Sequence, residues 1–572
     1  MTEQSFMKAL FFGVIAEDVV FPYPELGESE KVSLHGLLER VRKFLEQAVK
    51  ASEIDGQGSI PTAVLDGMRE LGLFGLAIPT EYGGQGLSTT AYARVIQEVA
   101  SVDASLGLVL HVHQAVAARG LLMFGSDEQK RRWLPELARG ERLAAFALTE
   151  QAAGSDAGSI RTLAVLDDEQ GVYRLNGSKP WVTNGELADL FIVFARTNPA
   201  DEGSKPRITA LVVERGRGVE TRERHETLGV RGAGVAHLAF DDVVVPKANV
   251  VGEPGKGFKI AMSVLNDARL GIAAALVGQC RALINLSVLR LRKRRSFGRV
   301  LGEYPILKDK VSRMVCDTYA IESMTYLTTG LSDRGVEDYS LESAIGRVAA
   351  TEALWRVVNE AMQLGAGPGY VKGHPLERHL RDARIAFVID GTNEVLRCFI
   401  ALAGLRGPGQ RLSDVQSAMY EPIKGFGLLR EFAVRKVREA LRRDRITQAH
   451  PLLARETVMF EEIADELGRA CDRALREHGS EIAEMQYPQM RIANVAIDLY
   501  ALLACISRTS RVIEQSGEGG ARRHLDLTAM FATTAQARML SNLQQLEHND
   551  DELRKAVASR IYTDGGYPFD IL

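Results

Sequence analysis

The chain has 572 residues, several times the usual domain length, so more than one cooperative unit is expected. Its apolar fraction of 46%, charged fraction of 25% and net charge of -4 are ordinary for a soluble globular protein and do not point to nucleic acid. The five cysteines form no CxxC pair, which argues against a disulfide framework or a zinc site. No signal-peptide pattern and no uncharged apolar run of about 18 residues is found, so we expect a cytoplasmic protein.

The first part of the chain is predicted to be helical. From residue 33 to residue 140 the apolar residues recur at spacings of three and four, as in Leu34, Leu37 and Leu38. Glycines at 83–84 and 125 interrupt the pattern. We therefore expect an N-terminal helical domain over residues 1–144.

Short β-rich runs then replace the helical pattern. Residues 190–194 and 208–213 are continuous apolar runs, and the dipeptides Asn176-Gly177 and Asn184-Gly185 are typical turn signals. The pattern predicts a middle antiparallel β-domain over residues 145–256.

Helical periodicity returns after the β-rich part. It predicts a helical bundle over residues 257–406, interrupted by a glycine-rich stretch at 365–369, and a C-terminal helical extension over residues 407–572. The expected fold class is mainly α with a central β-domain: a helix–β–helix core followed by a helical extension.

Two stretches offer groups that suit a planar polar ring. Residues 146–158 supply hydroxyls, small side chains and free backbone amides, although such a loop is also an ordinary turn. Residues two apart in a strand share a face, so Trp181 is predicted to cover a ring and Thr183 to hydrogen-bond its edge. The alternative is that Trp181 anchors the core.

Together these stretches resemble the acyl-CoA dehydrogenase family. The first matches its Thr-Glu-x-x-x-Gly-Ser-Asp signature without a gap, and the second matches its Trp-x-Thr-Asn segment. The resemblance implies FAD as cofactor and an acyl-CoA as substrate, with Ser155 touching both. The implied flavin contacts are Phe146, Leu148, Thr149, Gly154, Ser155, Trp181, Val182 and Thr183.

The similarity continues along the next predicted helix. In the segment Leu-Asn-Asp-Ala-Arg at 265–269, Asn266 and Arg269 resemble the family's contacts to the CoA side. Arg294, Ser296 and Phe297 match its dinucleotide-binding Arg-x-Thr-Phe-Gly segment, with serine in place of threonine. An arginine suits a pyrophosphate because its planar donors meet phosphate oxygens in pairs.

A second family signature lies at residues 363–370, 380–382 and 390–394. It implies FAD contacts from Gln363 to Gly367, reaching an adenosine across a subunit interface, and from Thr392 to Glu394. Gly391 is implied in the substrate contact. The sequence departs from the family at Ala366, where the first glycine of a Gly-Gly pair is usual, and at Gly373, Ala233 and Val235.

Asp390 occupies the position of the family's catalytic glutamate, the base that removes the α-proton of the acyl thioester. Aspartate keeps the carboxylate but withdraws it by about 1.5 Å. Some relatives take the base from the position of Ala268, which carries no carboxylate here, and Asp267 is expected to point elsewhere. We therefore predict Asp390 as the base, against the alternative of a structural carboxylate. Nitroalkane oxidase, a relative that uses aspartate, indicates that the scaffold accepts this residue.

The resemblance is closest to the very-long-chain branch of the family, which shares the Phe-Pro-Tyr-Pro segment at 21–24 and the C-terminal extension. It implies a homodimer. Shorter family members form tetramers, whereas in this branch the added domain occupies the position where a second dimer would dock. Residues 424–445 alternate basic and apolar side chains, which indicates either contact with an anionic membrane surface or a helix packed on its own protein.

The function that the resemblance implies is oxidation of long-chain acyl-CoA to trans-2-enoyl-CoA in fatty-acid β-oxidation, with electrons passed to electron-transferring flavoprotein. Two alternatives stay open. One is an oxidase or dehydrogenase of an atypical acyl thioester that uses Asp390, and the other is a non-catalytic assembly or binding partner.

Overall fold

The computed structural model describes residues 5–198, 206–420 and 445–571. The chain forms two compact units. Among the described residues, one unit runs from Pro22 to Val395, and the other combines residues 5–21 with the chain from Leu396 onward. The helical beginning, central sheet and helical end confirm the fold class expected from the sequence.

Short and medium helices precede the sheet. They are α1 (Phe6–Leu10), α2 (Glu17–Val20), α3 (Glu28–Ala48), α4 (Ala51–Gln57), α5 (Thr62–Glu70), α6 (Thr89–Val102), α7 (Ala104–His111), α8 (Arg119–Phe124) and α9 (Asp127–Arg139). A π-helical segment, Val112–Ala118, joins α7 to α8. The apolar stripe read from the sequence is the buried face of α3, since Leu34, Leu37 and Leu38 are all buried.

The strands are β1 (Ala144–Ala147), β2 (Leu163–Asp167), β3 (Val172–Val182), β4 (Leu190–Arg196), β5 (Ile208–Glu214), β6 (Val219–Arg224), β7 (Ala236–Pro246) and β8 (Val250–Val251). Seven of them follow the order β6-β7-β3-β2-β4-β5-β8. The sheet differs from the purely antiparallel one that the sequence predicts, because β1 and β2 both pair with β4 in parallel. Turn signals identify hairpins, but they carry no information on a strand that joins the sheet through a long loop.

The second half of the larger unit is a helical bundle. It contains α10 (Gly257–Lys293), the hairpin β9 (Arg295–Ser296) and β10 (Arg299–Val300), and the helices α11 (Pro305–Asp333), α12 (Ser340–Gly369) and α13 (Pro375–Arg384). Helix α10 crosses α6 closely at Gly278, where any side chain would overlap the carbonyl oxygen of Gln97. This crossing fixes the long helix that carries Asn266 and Arg269.

The division between the units falls inside helix α14 (Asn393–Tyr420), which belongs to the smaller unit from Leu396 onward. The other helices of this unit are α15 (Ala454–His478), α16 (Gln486–Glu547) and α17 (Asp551–Asp564). The N-terminal helix α1 belongs to this unit, whereas the sequence predicts one N-terminal domain over residues 1–144. Phe6 and Leu10 are buried, and Phe11 packs on Gly404, whose lack of a side chain leaves room for the ring. The basic segment 424–445 lies outside the described residues except for Arg445.

Three helical stretches among the described residues have the length and composition to cross a membrane: Ala104–Phe124, Gly257–Lys293 and Gln486–Glu547. No such segment is predicted when an uncharged run is required, whereas these stretches contain up to two charges in the apolar window. Between 56% and 83% of each apolar window is buried inside the protein.

Candidate active site

The loop after β1 is fixed at its base by a buried lysine. Lys179 of β3 donates from Nζ to the carbonyl oxygen of Leu148 at 2.8 Å and to Oε1 of Glu150 at 2.8 Å. Glu150 also accepts from the backbone amides of Arg161 at 2.6 Å and Thr162 at 2.9 Å. Burial lowers the pKa of Lys179 to about 8, although Glu150 opposes this shift. Gly154 and Ser155 further along the loop are exposed, whereas Ala153 before them is buried.

Trp181 lies on a bulge of β3. The register with β7 shifts between Lys179 and Val182, and Trp181 has a left-handed φ of 56°. Its side chain is 52% exposed, so Trp181 is not the core anchor that the alternative interpretation requires. The sequence predicts that Trp181 and Thr183 share a face because side chains alternate along a regular strand. The bulge interrupts this alternation, and Thr183 lies just after the last residue of β3.

The two stretches are brought together. Asn184, just after β3, donates from Nδ2 to the carbonyl oxygen of Ala144 in β1 at 3.2 Å. The ring of Phe146 packs on Phe194 with 4.7 Å between centroids. Phe146 also packs against the core cluster that contains Leu148, Ala153, Leu265 and Ala268. This cluster places the loop after β1 against the part of α10 that carries Asn266 and Arg269.

Asp390 lies in a tight turn before α14. It is half-buried and has a left-handed φ of 54°, a conformation that aspartate tolerates better than most residues. Burial raises the pKa of its carboxyl group, and the positive charges of Arg347 and Arg269 oppose that rise. Both arginines are buried, and burial lowers the pKa of each to about 10.

The neighbouring carboxylate on α10 has other partners, as expected from the sequence. Arg119 donates from Nε to Asp267 Oδ2 at 2.5 Å, and the hydroxyl of Tyr339 donates to Asp267 Oδ1. Asn266 accepts at Oδ1 from Arg269 Nη1 at 2.6 Å. Ala268, which precedes Arg269, is fully buried, and Asp390 is the carboxylate whose charge acts on both Arg269 and Arg347.

Arg347 was missed in the sequence analysis. It donates from Nη1 to Asn393 Oδ1 at 3.1 Å and from Nη2 to the carbonyl oxygens of Ile389 and Gly391, the latter at 3.4 Å. It is the only charged residue between 343 and 351. A lone cation in a small, apolar helical stretch is the signal that could have identified it.

The residues predicted to hold the other end of the cofactor lie elsewhere on the same chain. Phe297 at the tip of the β9–β10 hairpin is 96% exposed, and Gln363 and Gly367 are exposed. Arg290 near the end of α10 donates from Nε to the carbonyl oxygen of Leu364 at 2.8 Å. This hydrogen bond links the end of α10, next to the hairpin, to the part of α12 that carries Gln363 and Gly367. At 1.5 Å per residue, Arg294 is about 37 Å along α10 from Arg269, so one chain does not bring these groups to Asp390.

The remaining predicted contacts lie around the start of α14. Thr392 accepts at Oγ1 from the backbone amide of Val395 at 3.3 Å, and Glu394 is exposed. In α12, Ala366 has φ 51° and ψ -150°, a conformation that glycine adopts far more readily. The departure from the family's Gly-Gly pair thus falls at a position whose backbone favours glycine.

Comparisons with known proteins identify the family of the chain. Models of the N-terminal, middle and C-terminal domains of acyl-CoA dehydrogenase match residues 34–141, 145–243 and 255–405. The model of the ACAD9/ACADV C-terminal domain matches residues 451–567. The mitochondrial very long-chain specific acyl-CoA dehydrogenase of Macaca fascicularis is 39% identical, over 95% of this chain and 84% of that protein.

Solved structures are similar as well. An acyl-CoA dehydrogenase complexed with FAD from Bacillus anthracis superposes with a TM-score of 0.82 and 26% identity, covering 98% of this chain and 96% of the other. A chain of the structure described as the electron transferring flavoprotein of Acidaminococcus fermentans has a TM-score of 0.63 and 32% identity. It covers 66% of this chain and 98% of that one.

Proposed function

Because the chain belongs to the acyl-CoA dehydrogenase family, we propose that it is an FAD-dependent enzyme that oxidises long-chain acyl-CoA to trans-2-enoyl-CoA in fatty-acid β-oxidation. The observation that carries the proposal is the position of Asp390. The half-buried carboxylate of Asp390 interacts electrostatically with two buried arginines, one of them on the part of α10 that packs on the loop after β1. A base beside a loop that suits a flavin is what α,β-dehydrogenation requires.

The residues of this chain fit FAD. Trp181 and Phe297 present exposed aromatic surface, and a side chain built at Gly154 or Gly367 would meet no atom within 4 Å. Open backbone and exposed rings suit a flavin and an adenine, while the exposed side chain of Arg294 suits the pyrophosphate. Phe146, Leu148, Thr149, Val182, Thr183, Ser296, Gln363, Thr392 and Glu394 are the further residues that would hold the cofactor.

Asp390 removes the α-proton of the thioester. The proton passes to a carboxylate oxygen, and Arg347 and Arg269 stabilise the ionised form that is ready to accept it. When bound, FAD supplies the acceptor for the hydride that leaves the β-carbon, so the thioester loses two hydrogens and gains a double bond. Ser155, Asn266, Arg269 and Gly391 are the residues that would contact the substrate.

Anaerobic mixing with palmitoyl-CoA tests the reaction. The flavin absorbance should bleach, trans-2-hexadecenoyl-CoA should form, and the electrons should pass to an artificial acceptor. Rapid peroxide formation on admitting oxygen would indicate an oxidase instead. A flavin that stays oxidised with thioesters from C4 to C20 would reject catalysis and favour the assembly role.

The electron acceptor is an electron-transferring flavoprotein, the partner typical of the family. Reduced enzyme should pass electrons to it faster than to oxygen. Purified electron-transferring flavoprotein with a terminal dye measures this rate. Equal rates with and without that protein would contradict the assignment.

The proposed assembly is a homodimer in the cytoplasm. The length of α10 supports a dimer, because Phe297 lies beyond the C-terminal end of this helix, far from Arg269 on the same chain. A second copy would bring its own Phe297 to the first flavin loop. Light scattering at two protein concentrations tests this state.

Peripheral membrane contact through residues 424–445 is a further proposal, which rests on the sequence alone. Flotation with anionic vesicles at low and high salt tests it.

A further inference from the structure

One fully buried arginine holds the turn that carries Asp390. A single nitrogen of Arg347, Nη2, donates to the carbonyl oxygens of both residues that flank Asp390, Ile389 and Gly391. The other terminal nitrogen, Nη1, donates to the side chain of Asn393, the first residue of α14. The three acceptors surround the turn, so the guanidinium determines where the turn can lie.

The left-handed conformation of Asp390 explains how one nitrogen reaches two carbonyls. An aspartate with φ 54° reverses the chain, so the carbonyls before and after it can converge on one donor. Non-glycine residues pay a conformational cost in this region, so the turn depends on its surroundings. Thr351 adds a neutral support, since its Oγ1 accepts from Asn393 Nδ2 at 2.9 Å.

Charge distinguishes Arg347 from the neutral supports. The charged groups that act on Asp390 are Arg347 from α12 and Arg269 from α10. Glu352 of α12 lies nearby, where its Oε1 accepts from Asn393 at 3.4 Å. Arg269 donates to the side chain of Asn266, whereas Arg347 donates to the turn itself. Burial lowers the pKa of Arg347 only to about 10, so it is a cation at neutral pH.

We propose that Arg347 is a positioning residue for proton abstraction: it holds the 389–391 turn and keeps the carboxylate of Asp390 ionised. This inference rests on the proposed function, since it requires Asp390 to be the base. Arg347 acts through Asp390 and is not expected to touch the substrate.

Two substitutions separate the two roles. Arg347→Gln removes the charge but keeps a neutral donor, so the apparent pKa of flavin reduction should rise by about one to three units. Arg347→Lys keeps the charge but loses the planar fork. Its pH profile should match the wild type, while its plateau rate should fall by about tenfold to a hundredfold because the base is misplaced.

Thr351→Val is the matched control. It removes the neutral support of Asn393 without a change of charge, so the pH profile should stay in place and the rate should fall by no more than about tenfold. FAD content and melting temperature, measured on all three variants, identify a folding defect. A pH profile of Arg347→Gln that coincides with that of wild type would overturn the inference.

A second readout does not depend on turnover. A 3-thia acyl-CoA has sulfur in place of the β-carbon and cannot give up a β-hydride, so exchange of its α-protons with D2O reports on the base alone. Mass spectrometry of the recovered thioester should show the same pH shift in Arg347→Gln. If wild type exchanges α-protons but the variants do not differ from it, the inference about Arg347 fails and the proposed function stands. If wild type neither exchanges nor reduces its flavin, both fail.

Discussion

The ammonium group of Lys179 lies 2.8 Å from Oε1 of Glu150, and the two side chains are 0% and 9% exposed. Lys179 comes from β3 and Glu150 from the loop after β1. The pair therefore ties the loop that is proposed to hold the flavin to the strand that carries Trp181. A buried pair of this kind is costly to break, because removal of one partner leaves an uncompensated charge.

Lys179→Met should weaken flavin retention. It leaves Glu150 without its cationic partner, so we expect a loss of about 3 kcal/mol in stability and faster release of FAD. Dialysis followed by absorbance measures retained flavin, and thermal melting measures stability. Lys247→Met is the control, since Lys247 is 59% exposed and lies 3.7 Å from Asp168. Equal flavin retention in the two variants would show that the pair does not support the loop.

Ala366→Gly should stabilise the protein. Relief of the strained conformation contributes about 1–3 kcal/mol, and the extra freedom of glycine in the unfolded chain offsets up to about 1 kcal/mol of it. Ala349→Gly, in the regular part of the same helix, should instead cost about 1 kcal/mol. Denaturant unfolding measures both. Destabilisation by Ala366→Gly similar to that of Ala349→Gly would mean that the backbone there is not strained.

The site residues that the sequence predicts belong to contiguous motifs, and their roles stay predictions. Asp390 could be predicted because Gly-Thr follows it directly. Arg347 could not, because 43 positions separate it from Asp390 and only the packing of α12 on the turn brings them together. The bulge at Trp181 was also missed, since hydrophobic alternation describes a regular strand and carries no sign of an extra residue.

The fold class could be predicted from hydrophobic periodicity, because periodicity is also a local feature of the sequence. Stripes such as that of α3 report burial directly. The packing of Phe11 on Gly404 was beyond the sequence analysis, because nothing local indicates that an N-terminal helix packs with residues almost 400 positions later. Parallel pairing of β1 with β4 was missed on the same ground.

Buried neutral histidines predict acid sensitivity. His113 accepts at Nδ1 from the backbone amide of Ala144 at 3.0 Å, so its Nε2 carries the proton and donates to the carbonyl oxygen of Leu137 at 3.0 Å. Burial lowers the pKa of His113 to about 4. The unfolded chain therefore binds more protons than the folded one between pH 6.5 and 4, and stability falls as the pH is lowered through that window.

The expected slope is about 1.4 kcal/mol per pH unit for each such histidine. His113→Gln should be less stable at pH 8, yet its stability should fall less steeply between pH 6 and pH 4, by about one bound proton. Urea unfolding at a series of pH values measures the slope. His35→Gln, at an exposed position, should leave the slope unchanged. A slope in His113→Gln equal to that of wild type would contradict the assignment.

Asp390→Asn tests the base directly. It keeps the size of the side chain and removes its basicity, so the variant should retain FAD and bind acyl-CoA but reduce its flavin at least about a hundredfold more slowly. Stopped-flow absorbance after anaerobic mixing measures the rate. In the wild type the ionised carboxylate is the active form, so the rate should rise with pH through the pKa of Asp390. Since burial raises that pKa, the acidic limb should lie above the ordinary range for aspartate.

Asp390→Glu distinguishes an ordinary dehydrogenase from one with an atypical substrate. The longer side chain restores the residue that the family has at this position, and the turn keeps its hydrogen bonds to Arg347 because these involve the backbone of Ile389 and Gly391. Turnover of long-chain acyl-CoA should therefore be preserved or raised. A collapse of activity with retained FAD would indicate a pocket shaped around the shorter acid. Flavin reduction in Asp390→Asn as fast as in wild type would show that another group is the base, because an amide cannot accept the α-proton.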